Sequence, residues 1–211
     1  MASANAMAWV GSRRSTRRAR DEIIDADMRE RGQRPAHFDR TVVLRDGTRV
    51  RMRPIRPDDA ARLVALYDQL SRDTRYHRFF SVMGRLAPDW VRFLANVDYR
   101  ARLALVVESP DNADALIAVA RYEPGGGPDV AEVAFVVQDG WQDRGLGTIL
   151  FRELLAAATL NGLRHFRAWV LADNRRMLDL IARLGEVTRR SLEQGVVELE
   201  FSVRPSPESR G

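Results

Sequence analysis

The chain of 211 residues is 45% hydrophobic, carries a formal net charge of +5 and contains no cysteine. That length fits one domain with tails, and that apolar content supports a core, which excludes a wholly disordered chain. The lack of cysteine excludes disulfides, thiolate metal ligands and an acyl-cysteine intermediate; the three scattered histidines, His37, His77 and His165, predict no metal site. No apolar run reaches the roughly 18 residues of a membrane span, and the N-terminus lacks the apolar stretch of a secretory signal, so a cytoplasmic protein is expected. All 34 basic residues are arginine. Codon usage in a GC-rich genome is the simplest account of that bias.

Residues 1–40 read as a basic, disordered tail. The Arg-rich run Ser12–Arg20 has no aromatic residue between its arginines to stack bases, so nucleic-acid binding is not expected. The folded domain is expected over 41–204, with 205–211 as a C-terminal tail. Thr41–Leu44 and Val50–Arg53 flank an Asp46-Gly47 turn, the pattern of a β-hairpin. Pro57-Asp58-Asp59 opens a helix whose apolar face includes Leu63, Leu66 and Tyr67. Ser71 and Asp73 begin a second helix, and Pro88-Asp89-Trp90 a third that buries Val91, Phe93 and Leu94. Leu103–Val107, Leu116–Ala120 and Val130–Val137 read as strands. A helix follows with Leu146, Ile149, Leu150 and Leu154 in one stripe, ended by Asn161-Gly162. His165–Leu171 reads as a strand, and Asn174–Leu184 as a helix stopped by Gly185. A last strand pair is expected at 187–191 and 196–203. Early helices, antiparallel strands and then a βαβ unit predict an α+β fold with a mixed, mostly antiparallel sheet.

The segment Gln142-Asp143-Arg144-Gly145-Leu146-Gly147 lies between an apolar strand and a helix. Glycines let the backbone approach a ligand closely, and the first N–H groups of a helix lack partners within it. Together with the helix dipole they make an anion site. This spacing matches neither the dinucleotide nor the Walker A pattern, because no Gly-Lys-Ser/Thr follows.

The loop resembles the Gln/Arg-x-x-Gly-x-Gly/Ala motif of the GNAT acetyltransferases. Leu171–Met177, with Asn174 after a strand, resembles that family's next segment. Leu44–Thr48 with Arg51–Asp59, and Ser71–Phe80, resemble the acetyltransferase domain of bacterial Pat-type protein lysine acetyltransferases. The similarity covers roughly residues 41–204.

It implies a GNAT fold with a βαβ unit that holds acetyl-CoA as co-substrate, and a loop formed by Gln142, Asp143, Arg144, Gly145, Leu146, Gly147 and Thr148 on the pyrophosphate. It implies that the strand through Phe135, Val136 and Val137 bulges and splays to offer backbone groups to pantetheine, and that Asn174 and Met177 lie beside the cofactor, Asn174 either as a contact or as a helix cap. Glu132 is the candidate catalytic base, since it is the only charge in Val130–Val137 and such a carboxylate is costly unless paired or used. Many GNAT enzymes carry a Tyr where this chain has Ile181, so a dedicated acid for the thiolate is not expected. Arg75 and Arg78 are candidates for an acidic acceptor or a cofactor phosphate. The expected reaction is direct acetyl transfer to a primary amine, a lysine on a protein being the expected acceptor. A non-catalytic acyl-CoA-binding regulatory module and an acetyltransferase of small-molecule amines are the alternatives.

Overall fold

A computed structural model describes residues 34–80, 86–127 and 129–204. The expected tails at 1–33 and 205–211 lie outside the described residues, as does Arg85. Residues 34–40, expected to belong to the tail, include a short 3-10 turn, Ala36–Phe38, whose Phe38 is buried in the main core.

The strands are β1 Arg40–Val43, β2 Arg49–Pro54, β3 Leu103–Glu108, β4 Leu116–Pro124, β5 Val130–Val137, β6 His165–Leu171, β7 Gly185–Glu193 and β8 Val196–Val203. They form one eight-stranded sheet in the order β1-β2-β3-β4-β5-β6-β8-β7. Every neighbouring pair is antiparallel except β5–β6. The helices are α1 Ala60–Gln69, α2 Arg72–Phe79, α3 Pro88–Ala95, α4 Leu146–Leu160 and α5 Arg175–Leu184. The parallel β5–α4–β6 unit needs a crossover helix, and α4 supplies it.

Alternation along the strands divides the interior into two cores. Ala118, Ala120 and Tyr122 of β4 join α4 and its stripe Leu146, Leu150 and Leu154 in one. Val136 of β5 joins α1 and α3 in the other, with Val119 of β4 packed against it. Leu63, Leu66, Tyr67, Val91 and Leu94 are buried there as the sequence predicts, whereas Phe93 is only partly buried. Ser71 caps α2 by accepting from the Thr74 N–H at 3.1 Å.

Three expectations need adjusting. First, β5 carries no bulge: its register with β4 is unbroken from Ala118↔Val137 to Pro124↔Ala131. Second, Gly185 stops α5 as expected, yet no loop separates the helix from the next strand. Gly185 is extended (φ −118°, ψ 158°) and begins β7 directly after α5. A Cβ there would stand 2.6 Å from Phe201 Cδ2, so the close approach of the two strands requires glycine. Third, the last strand pair is longer than 187–191 and 196–203 on the β7 side.

A buried ion cluster fixes α1 to the sheet. Arg53 is fully buried and donates to both carboxylate oxygens of Asp59 at 2.7 and 2.8 Å, and to Glu108 of β3. The Arg56 N–H also donates to Asp59 at 2.8 Å, and Arg62 reaches it at 3.1 Å. Burial works against the Asp59 charge, but the hydrogen bonds from Arg53 and Arg56 outweigh it and hold the carboxyl below its usual range.

Arg53→Met should destabilise the fold by about 3 kcal/mol in urea melts. That is the low end for breaking a buried pair, because Arg62 still reaches Asp59. The folded pKa of Asp59 lies below its unfolded value of about 3.9, so its stabilisation is present above that pH and lost as pH falls. The gap between parent and variant should therefore shrink below about pH 4. A gap that is constant with pH would show that Asp59 is not the partner that matters.

Candidate active site

β5 and β6 pair only at Val130↔His165, Ala131↔Phe166 and Glu132↔Arg167. Beyond Glu132 they diverge, although β4 holds β5 to Val137 and β8 holds β6 to Leu171. A cavity of about 1080 Å³ occupies the opening. The β5 backbone groups that face it have no strand partner, and such groups must find hydrogen bonds elsewhere.

The loop after β5 forms one wall. It runs through a 3-10 turn, Asp139–Trp141, then Asp143 at φ 62° and Gly145 at φ 85°. Gly145 is the N-cap of α4, has no side chain to cap it, and the first turn holds no acid. The first N–H groups of α4 therefore keep their charge-binding capacity. Gly147 lines the cavity; a Cβ there would lie 3.5 Å from Phe135 Cε2, an ordinary contact. An uncapped helix start, a glycine wall and a free strand edge fit a phosphate-bearing, extended ligand such as acetyl-CoA.

Of the residues singled out in the sequence, Glu132, Phe135, Val136, Val137, Gln142 and Asp143 line this cavity. So do Gly145, Gly147, Thr148, Asn174 and Met177. The side chains of Arg144 and Leu146 do not. Leu146 is buried in the main core. Arg144 pairs with Asp46 of the β1–β2 turn at 3.3 Å and stacks over Trp141, its Cζ 4.7 Å from the ring centroid. Gln142 spends its amide on structure, donating to the Val137 carbonyl at 3.1 Å and to Thr74 at 3.3 Å. Asn174 caps α5 by accepting from the Met177 N–H at 3.2 Å. Ile181 is fully buried in the main core and is not among the residues that line the cavity, whereas Met177 and Leu180 of the same helix are.

Glu132 is half-buried at the fork of the two strands. Burial pushes its carboxyl up to about 7; Arg78 opposes that rise, its cross-strand neighbour Glu123 adds to it, and Arg167 opposes it. Glu123 sits beside it with the opposite outcome. Although burial penalises its charge, Arg121 and Arg102 hold its carboxyl below the usual range. The same two arginines donate to the carbonyls of Phe93, Leu94 and Asn96 at the end of α3, at 2.8 to 3.2 Å. Sequence reasoning missed this triad. The signal was there: Arg121 and Glu123 are charges on one face of an apolar strand, the same anomaly that marked Glu132.

Part of the lining is aromatic and comes from distant segments: Phe79 and Phe80, Trp90, and Trp169 of β6, with Arg78 near enough to act on Glu132. Trp169 carried no signal in the sequence, since a Trp in a strand reads as core. Burial, and then Arg121, push the Arg78 guanidinium down to about 10. Arg75 instead stacks over Tyr67 and donates to the Asp68 carbonyl at 2.8 Å, and it is not among the residues that line the cavity. α2 is held in place by Asp139, which accepts from the Ser71 N–H at 2.9 Å and from the Ser71 and Thr74 hydroxyls at 2.7 Å. His77 connects α2 to the segment after β6, with its nitrogens 3.1 Å from Asp73 and 3.3 Å from Asp173. Among the described residues no group of histidines and carboxylates is arranged to hold a metal ion, and no helix is long and apolar enough to cross a membrane.

Residues 49–187 match the model of the acetyltransferase (GNAT) domain. The chain is 35% identical over 165 residues to Acetyltransferase Pat of Mycolicibacterium smegmatis, covering 78% of this chain and 49% of that protein, so it spans about half the length of that relative. It is 31% identical over 148 residues to Acetyltransferase PA5475 of Pseudomonas aeruginosa, covering 70% of this chain and 80% of that one. The crystal structure of the GNAT domain of S. lividans PAT superposes with a TM-score of 0.72 at 39% identity, covering 80% of this chain and 99% of that domain. With a splayed strand pair, a glycine loop opening a helix, and these four matches, the chain belongs to the GNAT acetyltransferase family.

Proposed function

We propose that this chain transfers the acetyl group of acetyl-CoA directly to a primary amine, that Glu132 is the base, and that the amine is a protein lysine. One observation carries the reading: a carboxyl pushed up to about 7 lies in the same cavity as an uncapped, glycine-lined helix start. Acetyl-CoA supplies an activated thioester. The edge of β5 beyond Glu132, where β6 no longer pairs with it, holds its extended arm, and the loop 142–148 holds its phosphates. A lysine amine has a pKa of about 10.4 and enters protonated. A carboxylate with a pKa near the working pH is suited to take that proton, directly or through one water. Arg78 keeps Glu132 from rising further, so that the carboxylate stays populated at neutral pH.

The acceptor reading rests on similarity to Pat-type enzymes and on the aromatic part of the cavity lining. Phe79, Phe80, Trp90 and Trp169 suit the four-carbon stem of a lysine. Of the arginines at 72, 75, 78, 92, 100 and 102, Arg75, Arg92 and Arg102 are engaged within the fold, and Arg78 lines the cavity.

Glu132→Gln should lower turnover at neutral pH by about 10²–10⁴ while leaving cofactor affinity near that of the parent. The base works only when deprotonated, so the parent's rate should rise with pH through an apparent pKa of about 7 and fall below it. The variant should lose that limb; parental rates in the variant would place the base elsewhere. Gly147→Val keeps an acceptable Cβ but sends its methyls into the cavity, and should weaken acetyl-CoA binding by at least about tenfold in calorimetry. Unchanged affinity would remove the loop from the cofactor site. Labelled acetyl-CoA added to a cell lysate with the enzyme should mark protein lysines; label found only on small molecules would refute the acceptor assignment.

A further inference from the structure

The loop at residues 142–147 is closed from one side by a segment that the family match, beginning at residue 49, does not include. That segment is the tip of the β1–β2 hairpin, residues 44–48. The turn is internally fixed: the Leu44 N–H donates to the Thr48 carbonyl at 2.9 Å, and the Thr48 N–H to Asp46 at 3.0 Å. It docks on the loop through the Arg45 N–H, which donates to the Arg144 carbonyl at 3.1 Å, and through the Asp46–Arg144 ion pair at 3.3 Å.

Docking lays the Arg45 side chain over Gly145. A Cβ at Gly145 would stand 3.0 Å from Arg45 Cγ, 3.1 Å from its Nε and 3.2 Å from its Cδ. Gly145 thus has two reasons to be glycine: its φ of 85°, and the arginine seated against it. Three arginines flank the loop, and they differ in their partners. Arg144 is paired with Asp46 at 3.3 Å, and Arg176 of α5 with Asp143 at 3.1 Å. Arg45 has no carboxylate at ion-pair distance among the described residues, and it lines the cavity, which Arg144 does not.

We propose that Arg45 is a diphosphate-binding residue: the N-terminal hairpin supplies the side-chain cation of a cradle whose main-chain donors come from the start of α4. The sequence pattern points to Arg144 for that charge; the geometry hands it to Arg45, and Gly145 is the seat that lets it in. The inference rests on the acetyl-CoA reading above. A guanidinium and the helix N–H groups converge on the same anion because both lie at Gly145, the N-cap of α4. The 3′-phosphate of the cofactor, at the far end of the ribose, is not the group assigned.

Calorimetry of the full chain with CoA and with 3′-dephospho-CoA, for the parent and for Arg45→Met, tests this. Arg45 is exposed, so the variant should melt as the parent does without ligand. The expected result is a loss of about ten- to hundredfold in affinity for both compounds, equal within error and smaller at high salt. Arg45→Lys should recover part of it. Equal affinities of parent and Arg45→Met, or a loss seen with CoA but not with 3′-dephospho-CoA, would overturn the assignment while leaving the cofactor reading intact. A parent chain that binds neither compound would refute the cofactor reading, and this proposal with it.

Discussion

The functional architecture depends on one failed pairing. β5 and β6 begin as parallel neighbours and part after Glu132↔Arg167. Each strand is held on its outer side for its whole length, β5 by β4 and β6 by β8, so neither can bend back to close the gap. The sheet is therefore two sheets joined at a short seam, with α4 bridging them and the ends of β5, β6, α2 and α5 around the opening. Backbone groups cannot be left bare in a protein interior. A strand edge that faces a cavity is thus a standing demand for an extended, hydrogen-bonding guest, and Glu132 stands at the point where the demand begins.

Electrostatics separates the carboxylate that holds the fold from the one that is free to react. Glu123 and Glu132 are direct cross-strand neighbours. Burial penalises both charges, yet their titration moves in opposite directions. Glu123 has two guanidinium groups on it, which also satisfy the carbonyls at the end of α3. Glu132 has no ion pair or hydrogen bond of that kind among the described residues; Arg78 and Arg167 act on it at longer range. The difference between a structural acid and a reactive one is thus the placement of partners and not depth alone.

Much of this was legible from the order of residues. The Asp46-Gly47 turn, the stripe of α4 and the strand before the glycine loop rest on local rules of turn chemistry and periodicity, and they appear where those rules put them. Glu132 was legible because a charge breaks an apolar pattern. What stayed hidden depends on distance along the chain. Arg45 and Gly145 are far apart in sequence and touch only once the hairpin docks. Trp169 reads as core until β5 and β6 diverge and leave it lining a cavity. Gln142 and Arg144 look like phosphate ligands in a motif, but one amide is taken by Val137 and Thr74, and one guanidinium by Asp46. A motif names residue types; neighbours decide which of them have a hand free.

The junction of α5 and β7 has a mechanical meaning. α5 lines the cavity, and β7, at the outermost edge of the sheet, starts at the very next residue with Gly185 wedged against Phe201. Without a linker to absorb slack, helix and edge strand form one lever. The cavity wall that α5 provides is thus anchored directly to the outermost strand, most of which faces solvent.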